Sequence, residues 1–489
     1  MGTRHVSRLV TALLSAVLLV GVVPRAEAIA LSAEDVELII STAAKAIDAT
    51  TAVIAVTDRE GIPLGVFRKT GGSRGEADLA VGLARTGAFF SNDQAPLSSR
   101  TVRFISGIHF PPGVSFTPNA ALYGIENTNR GCTLSRSFNP GQAVTPSRSL
   151  SGGRGPGIVT GKADLFDSDP GAVNPGGVPI FKDGRVAGGI GVAGVSPQEA
   201  EFAAFTGSIP DSRFGPRVPS PGVVVLEGVS LPFVVQKTRP AGSGPGEFVG
   251  DFILGPRGSA RDGVPDGYLV GPAGSAELAP EEVDRIVRQA EAQANATRAA
   301  IRLPLGSRTR MVISVADLSG NILALFRMPD STIFSIDVAA TKARNVVYFS
   351  SSRLNPNDLP GVPPGTAVSS RTISFGAQPL FPPGIDGSGP GPWFDLFVRD
   401  SQNPCTQGSD SANRGNQSGI VFFPGAAPLY RNGQLIGGLG VSGDGVEQDD
   451  VVTEAGTAGF EAPPDIRADQ ILINGVRLPY FKFSRNPTQ

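Results

Sequence analysis

The chain writes one phrase twice. GGIGVAG at residues 188–194 returns as GGLGVSG at 437–443. Glycine in a strand adds backbone entropy and gives nothing to pack, so such a strand needs a reason. The phrase is one station in a longer internal repeat. LSAEDVELIISTA (31–43) answers LAPEEVDRIVRQA (278–290), and AVTDREG (55–61) answers SVADLSG (314–320). ADLAVGLARTGAFFS (77–91) answers IDVAATKARNVVYFS (336–350), SSRTVRF (98–104) answers SSRTISF (369–375), and FPPG (110–113) returns at 381–384. VPIFKDGRVAGGIGVAG (178–194) answers APLYRNGQLIGGLGVSG (427–443), and GVSLPF (228–233) answers GVRLPY (475–480). The order is constant and only loop lengths differ. Two domains of one topology are expected, 31–240 and 278–489, joined by a Gly/Pro/Ser-rich connection at 241–277. A length of 489 residues, more than one core usually holds, agrees.

Each unit reads as a mixture of helices and antiparallel strands. The opening helix sets Val36, Ile39, Ile40, Ala43 and Ile47 on one face, and its twin sets Val283, Ile286, Val287, Ala290 and Ala294 there. Ser32 is placed to cap the first, with Asp35 three residues on, and Pro280 suits the first turn of the second. Strands are expected at 52–57 and 62–67, and again at 311–316 and 321–326. Asp58 and Asp317 fall at the turns between them, as turn-forming side chains or as a repeated carboxylate pair for acid/base work. A second helix follows (77–90; 336–349). Lys182-Asp183-Gly184 and Arg431-Asn432-Gly433 then mark a hairpin that leads into the glycine strand. Ser196 and Pro197 open a last helix. Strand pairs beside helices predict an α+β unit with an antiparallel sheet.

Residues 1–28 read as an export signal: Arg4 and Arg8, a short apolar core at 9–23, and AEA at 26–28. The core is shorter than the roughly 20 residues of a spanning helix, so cleavage is expected over anchoring, with no membrane attachment afterwards. An exported product, periplasmic or secreted, follows. The formal net charge of −2 lacks the basic field that nucleic-acid binding requires.

The order of motifs resembles the GlcG/HbpS (DUF336) haem-binding family: an Ala-rich helix, V-x-D-x-x-G, a Phe-Arg strand end (Phe67-Arg68; Phe326-Arg327), an Ala/Lys helix, then P-x-[FY]-x-[DN]-G-x-[VLI]-x-G-G-[IL]-G-V-x-G and a helix. What this implies is two tandem profilin-like domains, each a central antiparallel sheet flanked by helices, packed as a pseudo-dimer. It also implies a small-molecule ligand, with haem the first candidate cofactor, and a possible homo-oligomer. The family's Lys-Ala pair in the second helix is met by Lys342-Ala343, whereas the first repeat has Leu83-Ala84. The glycines then either let a helix or a partner sheet approach the strand closely or form a wall for a flat ligand.

Candidate site residues are few. The chain has two histidines, His5 and His109, and only His109 survives cleavage. This excludes histidine-rich zinc sites, and no C-x-x-C-H or Walker loop is present. His109 is the candidate axial ligand for a haem iron; the alternative is a loop histidine, and its counterpart is Leu380. Tyr348 and Tyr430 are other donors, or core residues. Arg85 and Arg344 hold the same helix position in both repeats and suit haem propionates, or are solvated or paired internally. Lys342 joins the cofactor-binding candidates through the family pattern. Cys132 and Cys405 hold matching Cys-Thr positions, and in an oxidising compartment a bridge between the domains is expected; two separate thiols are the alternative. No catalytic residue is assigned. The reading is an exported small-ligand-binding protein, with an exported enzyme of unknown reaction or a structural assembly protein as alternatives.

Overall fold

The computed structural model describes residues 29–132, 159, 173–220, 222–260 and 263–482. The signal-like stretch 1–28 lies outside the described residues. So does most of the first repeat's long insertion.

In chain order the first half holds α1 (Ala33–Ala46), β1 (Val53–Asp58), β2 (Pro63–Lys69), α2 (Ala77–Phe90), α3 (Ser99–Phe104), β3 (Gly177–Lys182), β4 (Arg185–Ala193) and α4 (Pro197–Ser208). Two further strands follow, β5 (Gly250–Leu254) and β6 (Gly267–Val270). The second half holds α5 (Pro280–Ala296), β7 (Val312–Ala316), β8 (Ile322–Arg327), α6 (Phe334–Phe349), α7 (Ser370–Gly376), α8 (Phe394–Gln402), β9 (Ala426–Arg431), β10 (Gln434–Ser442) and α9 (Val446–Gly456). The sheets run β3-β4-β1-β2-β5 and β9-β10-β7-β8-β6, antiparallel throughout. Registers match between halves: Thr57 faces Gly189 where Ala316 faces Gly438, and Val53 faces Ala193 where Val312 faces Ser442. In each half two helices lie on one sheet face (α1 with α4, α5 with α9), and α2 or α6 lies on the other.

Local chemistry sets the ends as expected. Ser32 and Asp35 form a capping box on α1, and Ser196 forms another with Glu199 on α4. Asp58 Oδ1 accepts from the backbone N–H groups of Glu60 and Ile62 at 2.9 Å. Asp317 Oδ1 does the same for Ser319 and Asn321 at 2.8 Å. Both repeated aspartates are turn builders.

The glycine strands are explained by helix packing. A Cβ on Gly189 or Gly191 would lie 2.0 or 1.9 Å from the carbonyl oxygens of Ala84 or Ala80 on α2. On Gly438 or Gly440 it would lie 2.4 or 2.2 Å from those of Ala343 or Ala339 on α6. The helix backbone rests on the strand, which leaves no room for a flat ligand on that face.

The Gly/Pro-rich stretch 241–277 does more than connect. Its strands β5 and β6 supply the fifth strand of each sheet and cover the outer edge of β2 and β8. The pairing is anchored alike: Phe67 packs edge-on to Phe252, and Phe326 packs edge-on to Tyr268. Composition hid these strands because glycine and proline surround them.

The halves share a core. Phe89, Phe90, Val102 and Ile105 of the first half join Ile333, Phe334, Val338 and Phe423 of the second. The Phe90 and Phe334 rings stack at 4.2 Å. Ile333 N–H donates to the Phe89 carbonyl at 3.0 Å. Cys132 and Cys405 form a disulfide with Cα atoms 5.4 Å apart, so the two matched cysteines tie the halves.

Candidate functional site: a cleft between the halves

Where the halves meet, a cavity of about 680 Å³ opens, within the size range of small-molecule sites. The first half contributes Ile105, Leu122 and the turn at 225–228; the second contributes Ala300, Ile301, Phe334 and Phe423. The start of α9 closes one side, from Ser442 to Asp449. A second compartment of about 350 Å³ adjoins it, walled by Phe110, Phe375, Arg371 and Gln378. The two share Ala121, Leu226, Glu227, Val446, Glu447 and Lys482.

The sequence GDG at 443–445 shapes that side. Gly445 sits at φ +145°, a conformation kept for glycine, and it offers α9 no side-chain cap. Behind the first turns of α9 lie three buried acids, each with a cationic partner. Asp444 is bonded to Arg302, and it also accepts from Arg310 N–H at 2.7 Å. Arg302 reaches on to Asp330 at 2.6 Å and to Gln94 Oε1 of the first half at 3.0 Å. Asp450 is held by Arg371 at 2.5 Å and by Lys482 N–H at 3.0 Å.

Asp449 lines the cavity itself. Its Oδ2 takes Lys342 Nζ at 3.0 Å, and Lys342 also donates to the Val441 carbonyl at 2.8 Å and lies 4.9 Å from the Phe423 ring centroid. Asp449 Oδ1 has no hydrogen-bond partner. Burial outweighs the pairing on both members: it pushes the Asp449 carboxyl up to about 7 and pulls the Lys342 ammonium below its ordinary value.

Of the residues marked in the sequence, Lys342 is the one brought to this site, through Asp449. His109 stands elsewhere: its Nε2 meets Asp386 Oδ1 of the second half at 2.6 Å. Arg85 and Arg344 turn inward and donate to the carbonyls of Gly61 and Gly320 at 2.8 and 2.9 Å, bracing the β1–β2 and β7–β8 turns. Burial lowers each guanidinium to about 10. Tyr348 donates to Asp358 Oδ2 at 2.6 Å within a separate core, and Tyr430 is buried beside Tyr480. None of these five lines either compartment.

Sequence reasoning passed over Asp449. A signal was available: position for position after the glycine strand, Ala200 of α4 answers Asp449 of α9, and Leu83 answers Lys342. An apolar pair in one repeat therefore stands where the other holds a buried ion pair.

The chain is 28% identical over 162 residues to the corrinoid adenosyltransferase PduO of Citrobacter freundii, covering 33% of this chain and 36% of that protein. It thus spans about a third of the length of this relative. It is also 28% identical over 144 residues to an uncharacterised 15.0 kDa Citrobacter freundii protein from the dhaT-dhaS intergenic region, covering 29% of this chain and 71% of that one. Among solved structures, a PduOC:haem complex is similar at 23% identity and TM-score 0.26, over 38% of this chain and 98% of that one. A double mutant of Streptomyces reticuli HbpS is similar at 18% identity and TM-score 0.23, over 39% of this chain and 90% of that one. The family described as "Haem degrading protein HbpS-like" matches residues 31–207 and again 279–458. With both repeats matched and most of its length covered, the chain belongs to the HbpS-like family.

Proposed function

We propose that this protein works by binding a small ligand in the cleft between its halves. The observation that carries the reading is the cavity itself: apolar walls drawn from both repeats, with one buried carboxylate oxygen at its side left without a partner. Such a concave, mostly apolar site with a few polar groups is where small molecules bind.

The family match and the haem complex of a relative make haem the first ligand to test. The residues present do not fit an iron ligated by the protein here. Haem iron takes His, Cys, Met or Tyr, and none of these lines either compartment. His109 is held by Asp386 outside the lining. Haem in this cleft would be held by its walls without an iron ligand from the lining residues.

We also propose export to an oxidising compartment, supported by the signal-like residues 1–28 and by the Cys132–Cys405 bridge. The packing of the halves supports the tandem as a covalently joined counterpart of a two-chain assembly.

The test is a haemin titration followed by absorbance, with Ala121→Trp as a variant that fills both compartments. Saturable binding of one haemin per chain that Ala121→Trp abolishes supports the cleft. Binding that survives Ala121→Trp and is lost in His109→Ala overturns it in favour of the loop histidine.

A further inference from the structure

We propose that the cleft selects an apolar ligand ending in a protonated amine, which donates to Asp449 Oδ1. The inference rests on the reading of the cleft as a ligand site and names the class of molecule it takes.

Asp449 carries an unmet acceptor. Asp449 is 2% exposed, its Oδ2 is engaged by Lys342, and its Oδ1 bonds to nothing. A buried polar atom left in that state is destabilising unless a donor arrives, and an amine supplies a charge-assisted one. The oxygen's owner lines a cavity wide enough to admit the donor.

The surrounding charge is balanced. The charged groups lining the larger compartment are Glu227, Glu447, Asp449, Arg298 and Lys482. Lys482 is taken by Glu447 at 2.8 Å. Asp449 is likewise paired with Lys342, which leaves Glu227 and Arg298, one charge of each sign, so selection falls to the Asp449 Oδ1 acceptor and not to a net field. The body of the ligand would meet Ile105, Leu122, Ile301, Phe334 and Phe423. A ligand whose charged ends are carboxylates sets acceptor against acceptor at Asp449.

The repeat supplies an internal control. Leu83 and Ala200 occupy the positions of Lys342 and Asp449, and both are buried. The fold therefore closes well with an apolar pair there. Replacing a buried ion pair with packed apolar residues is often neutral or stabilising, so the pair in the second half is not required to hold the domain together.

The experiment uses the full chain and calorimetric titration with 1-naphthylmethylamine, against 1-naphthaleneacetate of opposite charge. The expected result is one amine bound per chain, at least tenfold tighter than the carboxylate. The double variant Lys342→Leu/Asp449→Ala copies the first half and should melt cooperatively yet bind the amine at least tenfold more weakly. If that variant does not fold, Asp449→Asn keeps the shape and an acceptor for Lys342, and the same loss is expected. Amine binding unchanged in these variants, tighter binding of the carboxylate, or no amine binding at all overturns the proposal. Amine binding that Ala121→Trp abolishes but the double variant leaves intact overturns Asp449 alone and keeps the cleft. Amine binding untouched by Ala121→Trp overturns the cleft as well.

Discussion

Lys342 Nζ lies 3.0 Å from Asp449 Oδ2 in the second half, whereas the same two positions of the first half hold Leu83 and Ala200. Two copies of one fold have solved the same contact in opposite ways. A double-mutant cycle reads the difference. Asp449→Ala alone leaves a buried ammonium unpaired and should cost about 3–5 kcal/mol by chemical denaturation. Adding Lys342→Leu should restore most of that loss. A double variant as unstable as the single one would show that the pair itself holds the half together.

Asp337 is buried and accepts Asn129 N–H from the first half at 2.6 Å, with its other oxygen unpartnered. Burial pushes its carboxyl up to about 6 from 3.8. The folded form therefore binds a proton more tightly than the unfolded chain. This contribution is fully present below about pH 4 and is lost as pH rises through about 6. Asp337→Asn should remove it, leaving a variant more stable than the parent above pH 6 by on the order of 2–3 kcal/mol. Melting curves between pH 4 and 7 check this: parent and variant should diverge as pH rises. Parallel curves would contradict it.

Gly191→Ala and Gly440→Ala would drive a methyl group into the Ala80 and Ala339 carbonyls. Backbone cannot yield as a side chain does, so each should cost about 3 kcal/mol or more. Gly389→Ala, exposed and with nothing within 4 Å, is the control and should stay within about 0.5 kcal/mol. Urea midpoints measure all three.

The Cys132–Cys405 bridge spans 273 residues of chain. Cys132→Ser/Cys405→Ser should lower stability by about 2–4 kcal/mol, and reductant should have the same effect on the parent but none on the variant. A non-reduced digest should yield one linked pair of peptides. Recovery of two alkylated thiols from untreated protein would contradict the bridge.

Much of this molecule was legible in its sequence, for a physical reason: local rules act over a few residues and the repeat states them twice. Ser32 with Asp35, Asp58 and Asp317 at their turns, the hairpins at Asp183-Gly184 and Asn432-Gly433, and the five apolar positions of α1 and α5 follow from capping, turn and periodicity chemistry. The glycine strands announced close approach of a backbone, and α2 and α6 are what approach. The matched cysteines announced their meeting, because equivalent positions in paired copies can face each other. What only the tertiary structure decided depends on atoms far apart in the chain. The edge strands β5 and β6 are called up by open edges on β2 and β8 rather than by their own glycine-rich surroundings. His109 is claimed by Asp386, 277 residues away. Asp449 becomes a cavity residue because Phe334, Ile105 and the turn at 225–228 converge beside it. Burial is a property of that convergence, and it turns an ordinary acidic residue on a surface-like run into a cavity-lining carboxylate with one oxygen that has no donor.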